Sequence, residues 1–287
     1  MRRAGFALAS FLTTSLALAQ PPVPGAPQPP VARPVGQPQP PAPQPAPAAP
    51  VDAVTMAHLK GWEKAMADVK TFAVKATMTL TDKATERSEK FTGDIWCMAP
   101  NRTRLNLVKE LPPNVKPTGE EFTAYICNGK LGYYYDGAAK TVTVAKLGPN
   151  GAGNNLLLDI MAGMTAENAL ARFDIRAMKP NDPKDQYLYL ELKPKFKEDA
   201  GEFEVMQLIL IPPTVPGGRA YLPRRVKVTK PGGQKIEMWD FPDPQVNPKG
   251  IEEKDFLGVK PPAGWKVQQV DVPTAQPPKA SVAPVKK

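Results

Sequence analysis

From Lys70 onward the chain is written in twos. In KTFAVKATMTLT, Phe72, Val74, Ala76, Met78 and Leu80 alternate with Lys75, Thr77, Thr79 and Thr81. A period of two puts the first set on one face of a strand and the second on the other, the pattern of a half-buried antiparallel strand. Similar runs follow: FTGDIWCM, RTRLNLVK, EFTAYICN, KLGYYYD, KTVTVAKL, QYLYLELK, EFEVMQLILI, AYLPRRVKVT and QKIEMWDF. Turn residues separate them, as in Ala99-Pro100-Asn101, Asn128-Gly129-Lys130, Asp136-Gly137 and Pro231-Gly232-Gly233. The series predicts a long antiparallel meander. So many strands in one sheet must twist and curl, into a sandwich or into a full or partial barrel.

Two stretches break the period. In VDAVTMAHLKGWEKAMADVKT, Leu59, Trp62, Met66 and Val69 recur at steps of three and four, which predicts an amphipathic helix capped by Asp52 or Thr55. In GNNLLLDIMAGMTAENALARF, Leu156, Leu157, Ile160, Met161 and Met164 form a short helical stripe opened by Asn154 or Asn155, and Thr165 starts a second helical turn. The preceding GPNGAGNN lacks the lysine and hydroxyl of a phosphate-binding loop, so its glycines read as a hinge. The fold class expected is α+β, mainly β.

The ends have a different character. Residues 1–19 place Arg2 and Arg3 before an apolar run that exits at Ala17-Leu18-Ala19, which predicts a signal peptide and a periplasmic or secreted protein. Residues 20–50 are so rich in proline that neither ladder nor helix can form, and an extended spacer is expected. The segment 269–287 has the same flavour and is expected to be disordered. Residues 51–268 are the size of one domain. The formal charge of +9 would raise nucleic acid as a partner in a cytoplasmic chain. After export, lipid head groups and acidic envelope polymers are the available anions, and no nucleic-acid partner is expected.

Few residues invite chemistry. The single histidine, His58, sits off the helical stripe and has no second imidazole to share a metal with. Acidic groups such as Glu252-Glu253 and Asp255, or Asp240 with Asp243, lack the spacing of a calcium loop, and no serine lies in a nucleophile elbow. Cys97 and Cys127 could form a disulfide in an oxidising compartment. Sequential pairing would put them on strands flanking RTRLNLVK, about 9.5 Å apart at the usual strand spacing, whereas a disulfide wants Cα atoms within about 7 Å. Sheet curvature could close that gap, so the bond stays open at this point. No catalytic residue, metal site or cofactor is expected.

The order of these parts resembles the LolA/LolB superfamily of periplasmic lipoprotein carriers, most closely a planctomycete-type branch with proline-rich leaders. An amphipathic first helix leads into a strand, and GDIWCMAPN stands where the carriers have a glycine-started strand ending in a proline turn. CNGKLGYYYD matches their tight turn and aromatic strand, GNNLLLDIMAGM their lid helix, and DFLGVKPPAGWKV their closing strand. The resemblance implies a curved antiparallel sheet forming an incomplete β-barrel under a helical lid, whose apolar concave side accepts acyl chains. Carried over residue by residue, it makes Phe72, Val74, Ala76, Met78, Leu80, Thr103, Leu105 and Leu107 the wall, and Leu157, Ile160, Met161 and Met164 the lid. Arg102, Arg104 and Asn106 would lie on the opposite face. One departure is Ala99, where the carriers commonly place an arginine before the proline. The implied function is non-enzymatic binding of a lipid, or of the acyl chain of a lipoprotein, by a monomer of the cell envelope. The competing reading is an interaction or envelope-sensor module with a filled core and a protein partner.

Overall fold

The computed structural model describes residues 51–147, 164–180, 182–215 and 219–270. The predicted signal peptide, the proline-rich segment, most of the predicted lid and residues 271–287 of the predicted tail lie outside them, while Gln269 and Val270, expected in that tail, are part of a strand.

The first helix, α1 (Ala53–Ala67), starts where Asp52 accepts the Thr55 backbone N–H through Oδ1 at 2.9 Å, satisfying one of the helix's orphan donors. It buries Thr55, Leu59, Trp62 and Met66, a stripe at steps of four, three and four. Asn247 clasps its far end to the first strand, accepting from the backbone N–H groups of Lys70 and Thr71 and donating to the Asp68 carbonyl.

Two meanders follow. The first holds β1 (Thr71–Asp82), β2 (Arg87–Met98), β3 (Arg102–Lys109), β4 (Phe122–Asn128), β5 (Leu131–Asp136) and β6 (Thr141–Lys146). The second holds β7 (Phe173–Met178), β8 (Leu188–Pro194), β9 (Val205–Leu210), β10 (Pro223–Thr229) and β11 (Lys235–Asp240). Short helices α2 (Ala166–Arg172) and α3 (Lys197–Glu202) precede β7 and separate β8 from β9. Thr165 caps α2 as expected, accepting from Asn168 N at 3.1 Å.

The expected single meander needs correcting, because the two meanders join through β1 and β11, giving the order β6-β5-β4-β3-β2-β1-β11-β10-β9-β8-β7. β12 (Gln245–Val246) pairs with the start of β1, beyond the stretch that β11 covers. β13 (Lys266–Val270) runs parallel to β6, with Lys266 opposite Thr141. A parallel neighbour requires a crossover, and here the chain leaves the sheet after β6 and returns to that edge only at its end. Among the described residues the sheet is unclosed, running from β13 at one edge to β7 at the other. It is the curved, mainly antiparallel sheet that the sequence predicts.

At Gly93 the neighbouring strand β3 leaves no room for a side chain. A Cβ built there would stand 1.7 Å from the Asn106 carbonyl oxygen, so only glycine fits.

α1 crosses one face of the second half. It leads directly into β1, yet the Thr55 hydroxyl takes a hydrogen bond from the Ala177 N–H on β7, at the sheet's far edge. Fifteen residues of helix reach about 22 Å, and the five strand steps from β1 to β7 span about 24 Å. The face it covers carries the fully buried row Met78, Trp239, Val226, Leu208 and Leu190. The other face carries ion pairs, Arg225 with Asp240 and Arg176 with Glu191. Each buried side chain of this kind stabilises the fold by about 1.5–3 kcal/mol.

Candidate functional site

The inner face continues from this row into the first meander. Register places Val74 beside Ile95, Ile95 beside Leu105, and then Tyr125, Tyr134 and Thr143 in line. A parallel row runs Phe72, Cys97, Thr103, Cys127, and another Ala76, Gly93, Leu107, Thr123, Asp136. Most residues assigned from the sequence to the wall are therefore brought together on one face. Phe72, Val74, Ala76, Met78, Thr103, Leu105 and Leu107 are buried, while Leu80 at the strand's end is half-buried. Of the predicted lid, Met164 is half-buried ahead of α2, and Leu157, Ile160 and Met161 lie outside the described residues.

The two cysteines occupy this face one strand apart, with Thr103 between them, and both are free thiols. The bond that the sequence leaves open is not formed in this structure, where β3 runs between the two cysteines. Cys127 Sγ donates to the Asn101 carbonyl at 3.0 Å, and the Thr103 hydroxyl points at Cys97 Sγ at 4.0 Å. Burial pushes the Cys97 thiol up to about 12 and raises Cys127 as well, so both stay protonated and weakly nucleophilic at neutral pH.

Polar groups gather at one rim. Glu237 lies opposite Leu80 and is only 8% exposed, its Oε1 3.1 Å from Lys230 Nζ. Arg172 grips Asp199 through Nε and Nη2, and its guanidinium stacks 5.3 Å from the Phe173 ring centroid. Burial raises the Glu202 carboxyl, and Lys230 partly offsets this. Phe173 and Phe203, fully buried with centroids 5.9 Å apart, plug the space beside these pairs. Sequence reasoning passed over this rim, although strand parity in QKIEMWDF already puts Glu237 on the side of Trp239. Among the described residues no group of three potential ligands is placed to hold a metal ion.

Arg104 lies on the outer face of the first meander, as parity predicts, and that face is covered. Its Nη1 donates to the Asp255 carbonyl at 3.2 Å and its guanidinium lies 5.5 Å from the Trp96 ring centroid. Arg102 pairs with Glu253 at 2.9 Å. Both contacts come from a 3-10 turn (Glu253–Phe256) that opens a strap across this face. Phe256 is fully buried under it, and Trp265 stacks on Phe122. The Tyr135 hydroxyl donates to the Val259 carbonyl and accepts from the Val259 N–H, each at 2.8 Å. Beneath lies a second apolar cluster of Ala124, Ile126, Tyr135 and Val142. Gly258 permits the close approach, since a Cβ there would come within 2.6 Å of the Tyr133 ring.

No family model and no curated protein matches the chain. Among solved structures it is similar to an uncharacterized conserved protein from Thermus thermophilus, with 10% identity and a TM-score of 0.43, over 76% of this chain and 99% of that one. It is similar also to a putative outer membrane lipoprotein-sorting protein domain from Vibrio parahaemolyticus, with 14% identity and a TM-score of 0.38, over 71% and 96%. A third is a LolA superfamily protein from Nitrosomonas europaea, with 11% identity and a TM-score of 0.38, over 71% and 97%.

Proposed function

We propose that this chain is an exported, non-enzymatic envelope protein that binds a lipid, or the acyl chain of a lipidated protein, against the inner face of its sheet. The observation that carries the reading is the row from Val74 through Ile95 to Leu105, flanked by Phe72, Met78 and Leu107. It is a continuous apolar surface on a curved, unclosed sheet, and it is the surface the resemblance to lipoprotein carriers assigns to acyl chains. Binding would draw on about 0.8 kcal/mol per buried methylene. Methionines at Met78 and Met66 suit such a surface, because a flexible thioether adapts to variable apolar shapes.

Mass spectrometry of an organic extract of the purified protein tests the reading, together with titration of a fluorescent acyl probe. Co-purified lipid and saturable probe binding are expected. An extract free of lipid and a protein blind to the probe would favour the second reading, an interaction module with a filled core, which the deep burial of Phe72 and Leu107 also fits.

A further inference from the structure

Among the described residues, two hydrogen-bond donors on the inner side, the Trp62 indole and the Tyr134 hydroxyl, have no acceptor. Trp62 is 0% exposed, and its Nε1 meets no hydrogen-bond partner among those residues. The Tyr134 hydroxyl, in line with Val74, Ile95 and Leu105, likewise has none. A buried donor without an acceptor costs about 1–3 kcal/mol, and folded chains rarely tolerate it without a purpose. Thr55, Tyr135 and Tyr189 by contrast place their hydroxyls on partners, while His58 Nδ1, Glu89 Oε2, Arg104 Nε and Arg224 Nη1 are the other buried polar side-chain atoms without one among the described residues.

We propose that Trp62 and Tyr134 are donors for the ester or amide carbonyls of an uncharged lipid, so that the inner face selects carbonyl-linked acyl chains over plain hydrocarbon and over free fatty acids. The inference rests on the lipid-binding reading and narrows its ligand. An indole N–H can only donate, so its complement is an acceptor. Burial pushes the Tyr134 phenol up to about 12, with Asp136 adding to the shift, so it too keeps its proton to give. Asp136 shares the inner face with Leu107 and Thr123. Its negative charge near Tyr134 disfavours a carboxylate head group there and leaves a neutral carbonyl as the fitting acceptor. The neighbours in the Tyr134 row, Val74, Ile95, Leu105 and Tyr125, include no cation to reverse that preference.

The test compares ligands that differ in one group. Displacement of N-phenyl-1-naphthylamine is measured with 1-palmitoylglycerol, with its ether analogue 1-O-hexadecylglycerol, which lacks only the carbonyl, and with palmitate. The unmodified protein is expected to prefer the ester to the ether and to palmitate by about tenfold, the factor for one well-made hydrogen bond. Tyr134→Phe and Trp62→Phe should each shrink the ester preference while ether affinity stays within about twofold, a change below the worth of one hydrogen bond. Tyr134→Phe removes a single oxygen and keeps the test valid if the tryptophan variant folds poorly. Equal affinity for ester and ether in the unmodified protein, or a preference that survives both substitutions, overturns the proposal while leaving lipid binding intact. Failure of all three ligands and of the naphthylamine to bind overturns the lipid-binding reading itself, and the proposal with it.

Discussion

The Thr55 hydroxyl accepts the backbone N–H of Ala177 at 2.6 Å while donating to Asp52 Oδ2 at 2.6 Å. One side chain thus completes the helix cap and satisfies a donor on the open edge of β7, which would otherwise invite pairing with another chain. Thr55→Val keeps the shape and deletes both bonds. A loss of about 1–3 kcal/mol is expected in chemical denaturation, because the Ala177 N–H is left without an acceptor.

At Gly93 the prediction is steric. Gly93→Ala drives a methyl into the Asn106 carbonyl, and a loss of soluble protein or a large fall in the unfolding midpoint is expected. Gly201→Ala is the control: nothing lies within 4 Å of a Cβ there, and alanine in a helix gains about 0.5–1 kcal/mol.

Leu105→Glu should abolish binding of a fluorescent acyl probe, because an unpaired carboxylate would have to be desolvated beside the chain. Arg104→Glu is unsuitable as a comparison, since Arg104 holds Asp255 and Trp96. Val108→Glu, on the same strand but on the outer face and 54% exposed, should leave the probe bound. Equal probe binding by the Leu105→Glu and unmodified proteins would remove that residue from the binding face.

Thiol chemistry gives a fourth expectation. With Cys97 pushed up to about 12 and Cys127 also raised, both should resist iodoacetamide in the folded protein at pH 8. Both should react in denaturant without a reductant. Recovery of fewer than two thiols under those conditions would contradict the free state.

His58 makes stability depend on pH. Burial lowers its affinity for a proton, against a weaker opposing pull from Asp52. Below its ordinary value of 6.5 the unfolded chain therefore binds a proton that the folded chain declines. This contribution is complete above 6.5 and is lost as the pH falls towards the lowered, folded value. His58→Gln should flatten that part of the profile, seen as unfolding midpoints of the two proteins converging or crossing between pH 7.5 and 5.5.

Local periodicity made most of this fold legible. The faces of β1 and β3 follow from parity alone, and the structure aligns Val74 with Leu105 through Ile95 accordingly. β7 escaped because FDIRAM follows α2 directly, with no turn residue between Arg172 and Phe173 to announce a strand. The strap over Arg104 and Tyr135 was out of reach for another reason: its partners lie far apart in the chain, and nothing near Arg104 marks it as covered. Trp62 and Tyr134 could be placed on faces by spacing, but whether a donor finds an acceptor depends on packing that no pattern records.

The pairing of Thr77 with Asp240 ties an early strand to one made much later. During synthesis β1 to β6 can assemble as soon as they emerge, but the outer edge of β1 must then wait, unpaired, for most of the remaining chain. The strap and β13 arrive later still, so the apolar outer face of β4 to β6 also stays uncovered until the domain's last residues are made. A partner that shields these surfaces from neighbouring nascent chains would matter most in that interval, when non-local closure is still outstanding.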